Sequence, residues 1–215
     1  MSEGSEISLN EWRESLDRLE GLLRNIAEEV GLTDVIPVLS RRIRNAQELF
    51  SGERIKSLVI KDEHGIAFIS ASGEEPRKLI TIKTKSEVVK IPTYLRDFYI
   101  TQVGPYGVKC TCDDALITSS KADKTLINIA GSLEVGLSDL RTLPISSKYV
   151  ICKHTLALTS LLARLGVVRL DDPRFLRTLK FGVLILALRE GLITPYSRES
   201  VELAQLLNEL IRSEL

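Results

Sequence analysis

The sequence has few of the residues that most often carry chemistry, with three cysteines and two histidines among 215 residues. It also has no net charge, because 29 lysines and arginines balance 29 aspartates and glutamates. This balance excludes a globally polycationic protein, so any contact with nucleic acid must come from a local patch. The longest uninterrupted apolar run, residues 181–188, is far shorter than the ~20 residues that a membrane-spanning helix needs.

The amino terminus lacks the pattern of a targeting segment. Residues 1–6 are polar and acidic, unlike a signal peptide or a transit peptide, so we expect a cytoplasmic protein. An odd number of cysteines in such a chain argues against a disulfide framework, since the reducing cytosol keeps thiols free. With 44% apolar and 27% charged residues, the composition is that of a globular protein with a sizeable core.

Two regions in the first half of the chain differ in hydrophobic period. Residues 1–52 predict an N-terminal helical region, with a capping box at Ser8 and Glu11 and a second helix that begins or kinks at Pro37. Residues 53–108 alternate with a period of two and predict an antiparallel β meander. Its expected strands are residues 55–60, 66–70, 79–84, 87–91 and 94–103.

Two further regions complete an α+β fold class. Residues 109–166 hold all three cysteines, with an irregular stretch at 113–149 that we interpret as a loop carrying one hairpin (126–129 and 133–135). Residues 167–215 predict a C-terminal helical hairpin. Its first helix is capped by Asp172 and is apolar nearly all round, which predicts burial in the centre of the protein or against a partner.

The cysteines and one histidine form two short pairs, Cys110-Thr111-Cys112 and Cys152-Lys153-His154. Residues two apart on an extended strand project to the same face, so Cys110 and Cys112 can present two thiolates together. Cys152 and His154 lie where a helix is expected to begin and can both point off its end. Three sulfurs and one imidazole nitrogen make a closed tetrahedral set that suits structural Zn²⁺.

A lysine adjoins a ligand in each pair. Zinc with three thiolates and a neutral imidazole carries one net negative charge, which Lys109 and Lys153 can offset from outside the ligand set. Lysines of this kind are equally common as solvated surface residues, so both interpretations stay open. A helix N-terminus at Cys152 would also favour its thiolate.

The pattern Cys-x-Cys, a long gap and Cys-x-His resembles the SWIM zinc finger, a strand-strand-helix metal module. With Ala157 the second half reads Cys-x-His-x-x-Ala, which resembles the SWIM subunit of Shu-type recombination complexes. The resemblance covers residues 109–165 and implies a RecA-family recombinase paralogue as partner in homologous recombination and DNA repair. The gap, residues 113–151, is longer than in a compact finger and implies an inserted loop or hairpin.

The same four residues have two other interpretations. The cysteines can be ordinary buried residues with His154 as a helix cap, although this leaves the paired spacing unexplained. Cys152 and His154 can also be a hydrolytic dyad, although no third group that would orient them is evident. We interpret His64 as a hairpin residue rather than a fifth ligand. The chain has neither a Gly-rich phosphate loop nor a Ser-centred nucleophile motif.

The remaining charged groups have structural explanations as well as functional ones. Residues 113–114 and 171–172 are acidic pairs whose commoner use is in turns and helix caps. Two basic clusters can contact phosphate, although a solvated face is the commoner explanation. They consist of Arg41, Arg42 and Arg44, and of Lys83, Lys85 and Lys90.

We therefore expect a non-enzymatic, zinc-stabilised adaptor that acts with DNA or with a DNA-bound recombinase. Its expected contact surface is an exposed edge of the finger with Lys109, Lys148 and Lys153. The alternative from the same resemblance is a DNA-binding or transcription-associated module, since other SWIM proteins are linked to transposases and chromatin remodellers. A thiol or metallo-hydrolase is the third hypothesis.

Overall fold

A computed structural model describes residues 9–71, 79–83, 88–92, 98–132, 146–194 and 199–201. It is a mixed helix and sheet structure, as predicted. The helices are α1 (Leu9–Glu29), α2 (Ile36–Ser51), α3 (Asp113–Ser132), α4 (Lys153–Arg164) and α5 (Pro173–Glu190). The strands are β1 (Ile55–Lys61), β2 (His64–Ser70), β3 (Leu79–Lys83), β4 (Val88–Pro92), β5 (Phe98–Gly104) and β6 (Gly107–Cys110).

The helix ends follow the local sequence signals. A short 3-10 turn (Thr33–Val35) precedes α2, and Pro37 lies in the first turn of that helix, where its missing N–H costs nothing. Asp172 caps α5 by accepting a hydrogen bond from the backbone N–H of Arg174 at 2.8 Å. Gly191 ends α5 with a φ of 73°, a conformation that glycine adopts without strain. Ser8, the predicted cap of α1, lies outside the described residues.

The strands form two antiparallel sheets instead of the single meander that we predicted. Among the described residues, the larger sheet has the order β1-β2-β5-β6, so that β2 pairs directly with β5, while β3 and β4 form a separate pair. The composition of a short strand does not specify which other strand it pairs with. The predicted meander pairs each strand with the next one along the chain. The hairpin of β3 and β4 is therefore an excursion between the two central strands.

The main hydrophobic core lies around α4. Every residue from His154 to Leu162 is buried, because α1, α2, β2 and β5 all pack against α4. Residues 181–188 of α5 are also all buried, which confirms the prediction of a helix buried nearly all round. The core draws side chains from all four predicted regions. The boundaries at 52, 108 and 166 remain sequence-based predictions.

The predicted loop with a hairpin at residues 126–129 is wrong, because residues 113–132 form α3. Where burial is described on this helix, the buried side chains are mostly small, which hid its period in the sequence. They are Ala115, Thr118, Ala122 and Leu126. In the described part of residues 109–166, the end of β6 leads into α3, and α4 follows. The second predicted strand of the hairpin, 133–135, lies outside the described residues.

Most of the predicted second helix of the C-terminal hairpin also lies outside the described residues. The described part of it, residues 199–201, is helical. Within the described part of the chain, no helix combines the length and the hydropathy that crossing a bilayer requires.

Candidate metal centre

Four side chains from two distant parts of the sequence converge at one place. The three cysteine sulfurs and an imidazole nitrogen of His154 all lie within 4.8 Å of one another. Cys112 is 3% exposed, His154 2% and Cys152 not at all, while Cys110 is half-buried. This Cys₃His cluster is positioned to hold a metal ion, and its soft, nitrogen-and-sulfur donor set fits zinc.

The backbone brings the two pairs together by strand pairing. The chain that leads into Cys152 runs parallel to β6, which ends at Cys110, and the N–H of Val150 donates to the carbonyl of Val108 at 3.0 Å. Helix α5 can approach this chain closely because it has no side chain at Gly182. A Cβ there would lie 2.6 Å from Cγ1 of Ile151, so any larger residue would push on the residue before Cys152.

Two of the cysteines cap helices. Cys112 accepts the first helical hydrogen bond of α3, from Leu116, and its Sγ receives the N–H of Ala115 at 3.4 Å. Cys152 caps α4 in the same way, while the Thr155 hydroxyl accepts the N–H of Cys152 at 2.9 Å in a capping box. Both helices thus direct N–H groups and the positive end of the helix dipole at thiol sulfurs, which favours thiolates.

The imidazole of His154 presents Nδ1 to the cluster. This atom lies 3.7 Å from Sγ of Cys110 and 3.9 Å from Sγ of Cys152, separations that suit two ligands of one tetrahedral ion. The ring of Tyr99 lies 4.8 Å from the imidazole at an angle of 48° and helps to fix its orientation. The other ring nitrogen, Nε2, is buried and has no hydrogen-bond partner among the described residues.

The three thiols of the cluster differ in pKa. Burial alone would raise the pKa of Cys152, but hydrogen bonds from Cys110, Cys112 and His154 lower it well below its usual value. Hydrogen bonds to Cys110 and Cys152, and then burial, raise the pKa of Cys112 far above its usual value. The bond with Cys112 acts to lower the pKa of Cys110, yet the bond with Cys152 and burial raise it to about 12. The cluster needs a cation before all three sulfurs can be anionic.

The predicted neighbours of the ligands occupy different environments. Lys109 is exposed, whereas Lys153 and Lys148 are half-buried, so the predicted lysine edge is only partly open to solvent. Ala157 is fully buried in the main core, three residues after His154 on α4. His64 lies at the start of β2, outside the cluster.

Sequence reasoning missed the group that joins the two halves of the site. Arg42 was interpreted as part of a solvated or phosphate-binding basic cluster, but it is only 5% exposed. Its guanidinium contacts both carboxylate oxygens of Asp114, and Nη1 donates to the carbonyl of Ile151 at 2.5 Å. Arg189 reaches the same carboxylate at 2.9 Å. The signal was the position of Arg42 beside Ile43 on the apolar face of α2, where a charged residue needs a buried partner.

The other basic residues of the two clusters behave differently. Arg41 and Arg44 are exposed on α2. Lys83 and Lys90 lie in the β3–β4 hairpin, where the backbone pairing is described but the side chains are not, and Lys85 lies outside the described residues. Asp172 is a helix cap as predicted, and Asp113 and Asp114 open α3.

Comparison with family models, with curated proteins and with solved structures found no match for this chain.

Proposed function

We propose that the chain holds one Zn²⁺ as a structural centre through Cys110, Cys112, Cys152 and His154. The observation that carries the proposal is the convergence of these four ligating atoms within 4.8 Å. Three thiolates and one imidazole complete a tetrahedron and leave no coordination position for a substrate. The centre would then tie the end of β6 and the starts of α3 and α4 together.

The same enclosure argues against the hydrolase hypothesis. Sγ of Cys152 lies 3.9 Å from Nδ1 of His154, but this cysteine has no exposed surface from which to attack a substrate. A nucleophile must reach the reacting atom as well as its base. These observations favour a non-enzymatic role.

Elemental analysis of the purified protein tests the metal. We expect one zinc per chain, because all four donors come from a single chain. Replacement of zinc by Co²⁺ should give the absorption of a tetrahedral site with three thiolate ligands. A folded protein that contains far less than one zinc per chain, and takes up none on addition, would contradict the proposal.

Chelation of the metal should loosen the centre without unfolding the protein. The ligands lie at the ends of β6, α3 and α4, and most buried apolar residues of these elements belong to the main core, so that core does not need the ion. We expect faster amide exchange in residues 110–116 and 150–155, with the far-UV circular dichroism largely retained. Global unfolding on chelation, or unchanged exchange at these amides, would show that the ion has another role.

For the biological role we propose an adaptor that acts with a RecA-family recombinase paralogue, or with the DNA that it binds, in homologous recombination and repair. The resemblance to the SWIM finger supplies the partner class. The balanced charge favours docking to a protein over direct DNA binding. Beside the metal centre, α3 also exposes two large apolar side chains, Leu116 at 58% and Ile117 at 47%.

The second candidate is a DNA-binding module, which the exposed pair Arg41 and Arg44 on one face of α2 favours. Binding of single- and double-stranded DNA at several salt concentrations separates the two candidates. The adaptor predicts weak binding that varies little with salt. Direct phosphate contact predicts that the affinity for DNA falls steeply with salt, by roughly one log unit per log unit of salt for each phosphate neutralised.

Affinity capture from the native source tests the adaptor itself. We expect a RecA-family protein to be recovered with the wild-type chain and lost with Leu116→Ser/Ile117→Ser. Repeated absence of any such protein would count heavily against the recombination role, and would leave the zinc proposal unaffected.

A further inference from the structure

Arg42 is the one described arginine of α2 that is buried, and it contacts a neighbour of each half of the Cys₃His cluster. Its first partner, Asp114, follows Cys112 by two residues in the first turn of α3. Its second partner, the carbonyl of Ile151, immediately precedes Cys152. A single guanidinium therefore links the two chain segments that carry the four ligands.

The geometry of these contacts suits a rigid link. Nη2 of Arg42 lies 3.0 Å from Oδ1 of Asp114 while Nη1 contacts Oδ2, so the guanidinium makes a bidentate pair of hydrogen bonds with the carboxylate. A guanidinium offers several N–H donors in a fixed planar arrangement, which an ammonium group does not. Nη1 also reaches the Ile151 carbonyl at 2.5 Å.

The charges around Asp114 point the same way. Arg42 and Arg189 both contact this carboxylate, and Arg189 also contacts Glu190 at 2.9 Å, so that two arginines and two carboxylates balance. Buried charges are tolerated when they are paired, and the buried guanidinium of Arg42 has its pair in Asp114. The link beside the ligand segments is therefore electrostatically satisfied.

We propose that Arg42 is a positioning residue for the metal centre, which holds the two ligand pairs together before the metal binds. This inference rests on the zinc site proposed above. Arg42 touches no ligand atom, and acts through Asp114 and Ile151. The site is then assembled in the metal-free protein, and metal binding does not have to bring the two segments together.

The test compares zinc binding by the full-length wild-type chain with that of variants Arg42→Met and Arg42→Lys. Zinc affinity is measured by competition with a chromophoric chelator, and the rate of zinc release by transfer to excess chelator. We expect Arg42→Met to bind zinc about 10- to 100-fold more weakly, as is typical when a group that supports a metal ligand is removed. This loss corresponds to about 1.4–2.8 kcal/mol. Arg42→Lys should lose less, because an ammonium can still reach one of the two partners.

The matched control is Arg41→Met, which removes an exposed arginine from the adjacent position of the same helix. Its zinc affinity should equal that of the wild type. The Co²⁺ spectrum supplies a readout that a general loss of stability would not move: we expect altered bands in folded Arg42→Met and unaltered bands in Arg41→Met.

The outcomes separate this inference from the zinc proposal. Wild-type affinity, release rate and Co²⁺ spectrum in a folded Arg42→Met would overturn the positioning role while leaving the zinc site intact. A wild-type chain that binds no zinc would instead overturn the zinc proposal. If Arg42→Met does not fold, Arg42→Lys and Asp114→Asn replace it in the test, because both weaken the link. Reduced zinc affinity in both variants supports the positioning role. Wild-type zinc affinity in either variant overturns it.

Discussion

Replacing His154 with asparagine is expected to abolish stoichiometric zinc binding, while the same substitution at His64 leaves it intact. The two are the only histidines in the chain, which makes them a matched pair. Nδ1 of His154 lies 3.7 Å and 3.9 Å from two of the sulfurs, and a neutral amide is a poor zinc ligand. The loss of zinc affinity should exceed the 10- to 100-fold effect typical of groups outside the ligand set.

The measurement is zinc content after gel filtration, together with thermal unfolding in the presence and absence of a chelator. The wild type and His64→Asn should each lose thermal stability when the metal is removed, because an ion that binds only the folded state stabilises it. His154→Asn should unfold at the same temperature with and without chelator. One zinc per chain in purified His154→Asn would exclude this residue as a ligand.

The cysteine variants extend the same experiment. Cys152→Ser should lose zinc as His154→Asn does, because an alcohol does not replace a thiolate at a zinc site of this donor set. A hydrolase would instead lose turnover in Cys152→Ser while keeping its metal content and fold. Metal content and turnover measured on the same preparation therefore distinguish a structural centre from a nucleophile.

Replacing Trp12 with alanine should destabilise the protein by about 3–5 kcal/mol while the zinc content stays at one per chain. Trp12 is fully buried, and its ring stacks on Phe50 with centroids 4.5 Å apart. Its carbonyl accepts the Ser160 hydroxyl at 3.3 Å, and Ser15 donates to the carbonyl of Ser160 at 2.8 Å, so α1 is fixed to α4 at this point. The variant opens a cavity where α1, α2 and α4 meet.

Urea unfolding followed by far-UV circular dichroism measures this loss, since Trp12 is the only tryptophan and its fluorescence disappears with it. Trp12→Phe is the control and should lose much less, because it keeps an aromatic ring against Phe50. It also removes the indole Nε1, which is buried without a hydrogen-bond partner among the described residues. A loss below about 1 kcal/mol in Trp12→Ala would mean that α1 unfolds separately from the core.

The sequence predicted best the elements with a strong and regular hydrophobic period. The Trp12–Val30 spacing indicated α1, and the apolar run near residue 182 indicated the buried α5. It failed where burial depends on small side chains, as in α3, and where strand order depends on pairing with a distant segment, as for β2 and β5. Neither property is visible in a local window of sequence.

The candidate site likewise has one part that the sequence indicated and one part that it did not. The convergence of Cys110, Cys112, Cys152 and His154 could be predicted from spacing alone, because cysteine and histidine are rare here and occur in two short pairs. The link through Arg42 and Asp114 was missed, because the two residues belong to different helices and each has a common surface use. Only the position of Arg42 within the apolar stripe of α2 indicated that it is buried.

The anchoring of Ser146 bears on how the segment before Cys152 is held. Ser146 is fully buried, and its hydroxyl contacts the carboxylate of Asp123 and lies 3.2 Å from the carbonyl of Ser119, both within α3. The described chain before Cys152 is thereby fastened to the helix that begins beside Cys112. The second ligand pair is therefore tied to α3 through its own segment, in addition to any tie that the proposed metal supplies.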